Sequence, residues 1–166
     1  MYTLEFIGRI MEKADLHIHT TASDGMHTPQ EVIINALKAN LSHVAITDHD
    51  TIDGFLALSQ CDQTSSNCIN IIPGIEFSTD ITAFEVHKLG YYIDVESDQL
   101  LTKLETLSGD RISRVRKMVK KLDGLGFRIS LDRVFEIARG ATSVGRPHVA
   151  KALVEKGYFS SVAEVF

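Results

Sequence analysis

An α/β fold with a parallel sheet is predicted for residues 14–93 on three observations. Short β-rich runs alternate with helical stretches, turn signals separate them, and polar candidates recur at the carboxyl ends of the runs. In barrels and open α/β sheets that edge is where active sites are built. The first run ends in Asp15-Leu16-His17-Ile18-His19-Thr20. Thr28-Pro29-Gln30-Glu31 then predicts a helix start, with Thr28 as N-cap, Pro29 at the first helical position and Glu31 closing a capping box. Val32, Ile33, Ala36 and Leu37 form its apolar stripe. A second strand, Val44-Ala45-Ile46, runs into Thr47-Asp48-His49-Asp50, and a helix follows around Gly54 to Ser59. A third run, Ile69 to Ile72, is expected to turn at Pro73-Gly74 into Ile75-Glu76-Phe77-Ser78. An alternating run from Phe84 to Ile93 carries His87.

From about Glu96 the pattern becomes helical, so the chain divides into a strand-rich part, 1–95, and a helical segment, 96–166. A long helix begins near Ser97-Asp98, carries Arg111, Arg114, Arg116, Lys117, Lys120 and Lys121, and is terminated by Gly124 and Gly126. Helices from Ser130 to about Arg139 and from Pro147 to Lys156 follow, the latter stopped by Gly157. Ser161-Val162-Ala163-Glu164 opens a last helix just before Phe166.

At 166 residues and 44% apolar, the chain has material for one folded domain. No apolar run approaches the roughly 20 residues a membrane span needs. Glu5, Arg9, Glu12 and Lys13 interrupt the N-terminal apolar residues, so no signal-peptide core is expected and a cytoplasmic location follows. Cys61 and Cys68 are too far apart for a Cys-x-x-Cys pair and read as free thiols in a loop. A net charge of −5 argues against bulk DNA binding, which runs on phosphate neutralisation. An acidic protein that handles phosphates must do so through local cations.

His17 and His19 are two apart, so a strand projects them to one face where they can grip one ion, whereas a helix would aim them about 200° apart. Asp24 follows, then Asp48 and His49 at the end of the second strand, Glu76 after the third and His87 in the fourth. Imidazole with carboxylate suits manganese, zinc or iron rather than an all-oxygen calcium site. Six such groups at successive strand ends imply more than one ion. A multi-metal site can hold a phosphate oxygen, activate water and support the leaving oxygen.

Asp-Leu-His-Ile-His-Thr, Ser23-Asp24-Gly25, Ile46-Thr47-Asp48-His49-Asp50, Pro73-Gly74-Ile75-Glu76-Phe77-Ser78 and Glu85-Val86-His87-Lys88-Leu89-Gly90-Tyr91 resemble, in order, the motifs of the polymerase and histidinol phosphatase (PHP) superfamily. Gly145-Arg146-Pro147-His148 resembles a motif of its stand-alone bacterial phosphoesterases that act on nucleotides and short RNA. The resemblance implies the N-terminal part of a distorted (β/α)7 TIM-like barrel with a helical insertion. It also implies two to three divalent ions. His17 and His19 would hold the first, Glu76 would bridge the first and second, His87 would bind the second, and Asp24 with His49 the third. Asp48 would orient a ligand beside His49 at the catalytic centre, and Arg146 and His148 would contact substrate phosphate. The implied partner is a nucleotide or short RNA whose 5′ end is hydrolysed.

Family members continue further, to a late histidine and an Asp-x-His pair. The resemblance therefore implies a chain truncated before the last strands, lacking a ligand for each ion, with an unpaired barrel edge through which it could self-associate. A histidinol-phosphate-type phosphatase, or an inactive metal-binding fragment needing a second chain, are the alternatives.

Plainer readings stand beside these. His27 precedes a helix cap and His43 starts a strand, and both are assigned to structure. Asp24 next to Gly25 could equally be a turn residue. The basic run from Arg111 to Lys121 reads as a solvated helix face ahead of an RNA-contact surface. Arg146 before Pro147 could simply cap a helix. Glu76 between Ile75 and Phe77 would be costly to bury without a cation partner.

Overall fold

The computed structural model describes residues 12–59, 69–81 and 84–166; Glu5, Arg9, Cys61 and Cys68 lie outside them. Four strands come first, β1 (Ala14–Ile18), β2 (His43–Ile46), β3 (Asn70–Ile81) and β4 (Phe84–Tyr91), with α1 (Pro29–Lys38) after β1 and α2 (Asp53–Ser59) after β2. Four helices follow: α3 (Asp98–Gly124), α4 (Leu131–Ile137), α5 (Arg146–Glu155) and α6 (Val162–Val165). The sheet order is β1-β2-β3-β4. β1, β2 and β3 are parallel, as the β-helix alternation predicts.

Two details of the sheet differ from expectation. β3 does not turn at Pro73-Gly74 but runs through it as one strand of 12 residues. Pro73 is its last residue in register with β2, opposite Ile46, and Gly74 is its first opposite β4, facing Tyr91. The Pro-Gly pair therefore marks a change of neighbour, a place where a missing N–H is tolerated. A Cβ on Gly74 would stand 2.9 Å from both Ile46 O and Thr47 Cγ2, so the strands pass too closely for a larger residue. The second difference is that β4 runs antiparallel to β3. Only two residues separate Ile81 from Phe84. A parallel crossover needs a dozen or more, so a hairpin is the only connection available.

The helix signals act as they read. Thr28 Oγ1 accepts from Glu31 N at 3.2 Å and Glu31 Oε2 accepts from Thr28 N at 2.8 Å, satisfying donors that the first turn of α1 would otherwise leave orphaned. Val32 and Ala36 are buried, whereas Leu37 at the edge of the stripe is 40% exposed. Ser97 caps α3, and the chain leaves that helix through Gly126 at φ 90°.

Among the described residues, three apolar clusters fill the interior. Val32, Ile46 and Leu58 lie between the sheet and the helices α1 and α2. Ile52, Ile75 and Leu104 join β3 to the first half of α3. Val115, Val134, Ala138, Val144, Val149 and Ala152 make a core among α3, α4 and α5. α3, about 40 Å long at 1.5 Å per residue, thus contributes to the sheet core with Leu104 and to the helical core with Val115. No helix among the described residues is long and apolar enough to cross a membrane.

Candidate metal centre

β1 delivers His17 and, one residue past its end, His19 to the same side, their ring centroids 5.1 Å apart. The chain then folds tightly, with Thr20 O accepting from Ser23 N at 3.1 Å and Gly25 N at 2.9 Å. Any Cβ on Gly25 would collide with His19 O. Asp48, fully buried at the end of β2, pins this loop by accepting from Thr20 N at 2.7 Å, Thr20 Oγ1 at 2.7 Å and Ser23 Oγ at 2.5 Å. Its carboxylate therefore positions the loop that carries Asp24. Gly54 makes room for it, since a Cβ there would collide with Asp48 Oδ2.

Past β2 the chain stays beside β3. Glu76 N donates to Asp48 O at 3.2 Å and Asp50 N to Glu76 O at 3.0 Å, which sets His49 directly opposite Glu76. β4 brings His87 across from Ser78. These elements place four imidazoles around one carboxylate. His17 Nε2, His19 Nε2 and His49 Nδ1 lie 3.0, 2.9 and 3.5 Å from Glu76 Oε2, and His87 Nδ1 lies 2.7 Å from Oε1. Asp24 closes the far side, 3.1 Å from His19 Nδ1 and 3.7 Å from His49 Nε2. Three groups result, each with donor atoms within 4.8 Å of one another: His17, His19 and Glu76; His19, Asp24 and His49; His49, Glu76 and His87.

The donors fit a divalent cation better than they fit each other. Glu76 is 3% exposed, a costly place for a carboxylate without a cation. His19 Nδ1 and His49 Nδ1 are buried and have no hydrogen-bond partner among the described residues, although carboxylate oxygens stand 3.1 and 3.5 Å away. Nitrogen and oxygen donors converging in this way are the donor set of manganese, zinc or iron sites.

The electrostatics agree. Burial disfavours the charged form of Asp24, yet His19 and His49 hold its carboxyl down at about 2. Burial likewise opposes ionisation of Glu76, and the contacts from His17, His49 and His87 still keep its pKa below the usual value. The two central imidazoles move apart: burial works against protonation of both, but Asp24 raises His19, whereas His49 ends lower. Asp24 stands nearer His19, at 3.1 Å against 3.7 Å for His49, and the charges of His19 and Arg111 further lower His49. Neutral imidazole is the form a cation requires.

The insertion-motif residues separate. Arg146, at the first turn of α5, is exposed, lines the cleft beside Asp24 and lies 6.0 Å over the Phe166 ring. His148 is 3% exposed and is not among the cleft's lining residues; its Nδ1 accepts from Gly145 N at 3.1 Å. Burial, then Lys151, lowers its pKa, so it is a neutral clamp on the start of α5. His27 and His43 join none of the three groups, and His43 Nδ1 is 3.0 Å from Ser42 Oγ.

Sequence reasoning read the basic run of α3 as a solvated face and missed the part of it that turns into the cleft. Arg111 is 14% exposed in its side chain and reaches into the cleft, its Nε donating to Asp50 Oδ2 at 2.6 Å and its Nη2 to Ser78 Oγ at 2.7 Å. Arg114, Val115 and Met118 line the same cleft, whereas Arg116, Lys117, Lys120 and Lys121 are exposed. The signal was the helical spacing: 111, 114, 115 and 118 share one stripe with buried Val115, whereas Arg116, Lys117 and Lys120 point away from it.

The profile of the PHP domain matches residues 15–125, which contain all six clustered side chains. The chain is 35% identical over 92% of its length to the 5′-3′ exoribonuclease Rnm of Escherichia coli, covering 52% of that protein. It is 30% identical over 94% of its length to the 3′,5′-nucleoside bisphosphate phosphatase of Chromobacterium violaceum, covering 54% of it. A Bifidobacterium adolescentis crystal structure assigned to the metal-dependent phosphoesterases superposes with a TM-score of 0.83 at 29% identity, over 94% of this chain and 54% of that one. The chain thus spans about half the length of the curated relatives it matches. With the matched stretch and the ligand groups coinciding along the same strands, the chain belongs to the PHP domain family.

Proposed function

We propose that this chain carries the metal- and phosphate-binding residues of a metal-dependent phosphoesterase acting on nucleotides or the 5′ end of short RNA. The observation that carries this reading is the convergence of His17, His19, Asp24, His49, Glu76 and His87 into three groups that share members. His17, His19 and Glu76 would hold one ion, His49, Glu76 and His87 a second, and His19, Asp24 and His49 a third, two to three in all. This shares the imidazoles more widely than one ligand set per ion. Manganese, zinc or iron bound there would supply Lewis acidity toward a phosphoryl oxygen and a water acidic enough to attack near neutral pH.

The chain's own side chains prepare that site. Asp48 fixes the loop of Asp24, and Gly145 N with His148 fixes the start of α5, where Arg146 faces the cleft. A guanidinium there can orient a phosphate without taking part in proton transfer. The nucleotide or RNA substrate is supported by the named activities of the relatives from E. coli and C. violaceum.

The test is manganese reconstitution followed by release of phosphate or 5′-nucleotide from nucleoside 3′,5′-bisphosphates and short 5′-phosphorylated RNA, with histidinol phosphate as the competing substrate. Turnover of the nucleotides that disappears in His17→Ala supports the reading. Bound manganese without turnover of any phosphate ester would reduce the chain to a metal-binding module.

A further inference from the structure

Asp50, the residue after His49, is 4% exposed and held at φ 50°, a left-handed conformation that a non-glycine residue keeps only when its surroundings impose it. Its N–H donates to Glu76 O at 3.0 Å and its Oδ1 accepts from Ser78 N at 3.1 Å, so Asp50 grips β3 on both sides of Phe77. Its Oδ2 accepts from Arg111 Nε and Nη2, both at 2.6 Å, and Nη2 also donates to Ser78 Oγ at 2.7 Å. Two guanidinium nitrogens straddling a buried carboxylate oxygen make a rigid link. Arg111 belongs to α3, so this link runs from the helical segment to the strand end that carries His49.

The loop of Asp24 is held from the same unit. Thr142 N and Ser143 N, in the connection between α4 and α5, donate to Ala22 O at 2.9 and 3.3 Å. Thr142 O accepts in turn from Ser108 Oγ of α3 at 3.4 Å, and Thr142 Oγ1 donates to Asp53 Oδ2 at the start of α2. The buried ring of His148 makes a further hydrogen bond to the Ser23 backbone. Ala22 and Ser23 immediately precede Asp24.

Asp24 and His49 stand 3.7 Å apart and, with His19, form one of the three ligand groups. They are the two ligands whose neighbouring backbone the helical segment holds. His17 and Glu76, by contrast, stand on β1 and β3 of one sheet, which aligns them without a helix. A segment anchored for stability alone could meet the sheet through apolar contacts, as Leu104 does. A buried ion pair costs desolvation that such contacts avoid, so its place beside His49 calls for a role.

We infer that the helical segment positions the ion of the His19, Asp24 and His49 group, Arg111 acting on His49 through Asp50, and Thr142 and Ser143 acting on Asp24 through Ala22. The inference rests on the histidine cluster taking metal. The coupling is reciprocal: whatever the docked segment adds to the affinity of that ion, the ion adds to the docking of the segment.

The test is cobalt(II) titration of the EDTA-stripped full chain, read by visible absorption and by ions bound per chain at dialysis equilibrium. Asp24→Asn identifies the binding step that belongs to this group. Arg111→Met is expected to weaken that step at least tenfold and to leave another step within twofold. The double variant Asp24→Asn/Arg111→Met should add less than twofold to the loss from Asp24→Asn alone, because both act on one ion. Arg111→Lys keeps a cation beside Asp50 and should weaken the step two- to tenfold; it decides the matter if Arg111→Met does not fold. Filling the step should also slow amide exchange at Thr142 and Ser143 at least threefold, which a purely structural Arg111 would not bring about. Equal weakening of every step, a step assigned by Asp24→Asn that ignores the Arg111 variants, or cobalt binding indifferent to Asp24→Asn overturns the inference. The phosphoesterase reading fails separately, if the ions bind in this pattern and the manganese-loaded chain still releases no phosphate from any ester.

Discussion

Glu76 belongs to two of the three ligand groups and touches all four clustered imidazoles. Glu76→Gln keeps its shape and removes its charge. The expected result is loss of at least one manganese per chain after dialysis, with the remaining affinity down about a hundredfold, read by elemental analysis. Protons compete for the same atoms with opposite signs. Asp24 is depressed from 3.8 to about 2, so its contribution to the metal-free fold is fully present above 3.8 and lost as pH falls toward 2. His19 is raised, so its contribution is present below its ordinary value of 6.5 and fades as pH rises through the raised one. Thermal melts of the stripped chain should therefore lose stability on both sides of the weakly acidic range. Manganese affinity should climb across the upper limb, because the ion must displace the His19 proton.

At the scale of elements, the site depends on how loops are held at strand ends. Gly54→Ala pushes a methyl into Asp48 and within 2.6 Å of Thr20 Oγ1. A cost of about 1–3 kcal/mol is expected, seen as a lower urea midpoint at unchanged slope, with weaker metal binding because Asp48 must move. Thr28→Ala, which opens the α1 capping box far from the cluster, should cost about 1 kcal/mol and leave metal affinity unchanged. This scale also shows what the residues alone could tell. His17, His19, His49, Glu76 and His87 were legible because a period of two, or a place just past a strand, fixes the side they face. Asp24 was not decidable on its own, since Ser-Asp-Gly serves a turn and a ligand loop alike; here the turn brings its carboxylate to His19 and His49. Arg111 stayed hidden because a basic run on a helix does not reveal which stripe meets the sheet. The antiparallel β4 was in principle readable from the five residues between Ser78 and Phe84, too few for a parallel crossover, but the preceding β-helix alternation argued for another parallel strand.

For the whole molecule, the telling element is α3, which contributes Leu104 to the core against β3 and Val115 to the core of α4 and α5. Two cores threaded by one continuous helix should melt as one. Val115→Ala, about 2 kcal/mol destabilising, is expected to shift far-ultraviolet circular dichroism and manganese release by the same amount, although it lies in the helical core. Separate transitions would mean that the helical segment unfolds independently.

β3 passes from one neighbour to another without a break, and the six residues from Ile71 to Glu76 span that handover. A slip of one position along either partner would turn Glu76 to the opposite face and swing Ile75 or Phe77 into its place. The cation is thereby given a say in strand alignment: a misthreaded sheet has nothing to offer it, so each tenfold rise in free manganese above its dissociation constant should favour the correct pairing by about 1.4 kcal/mol.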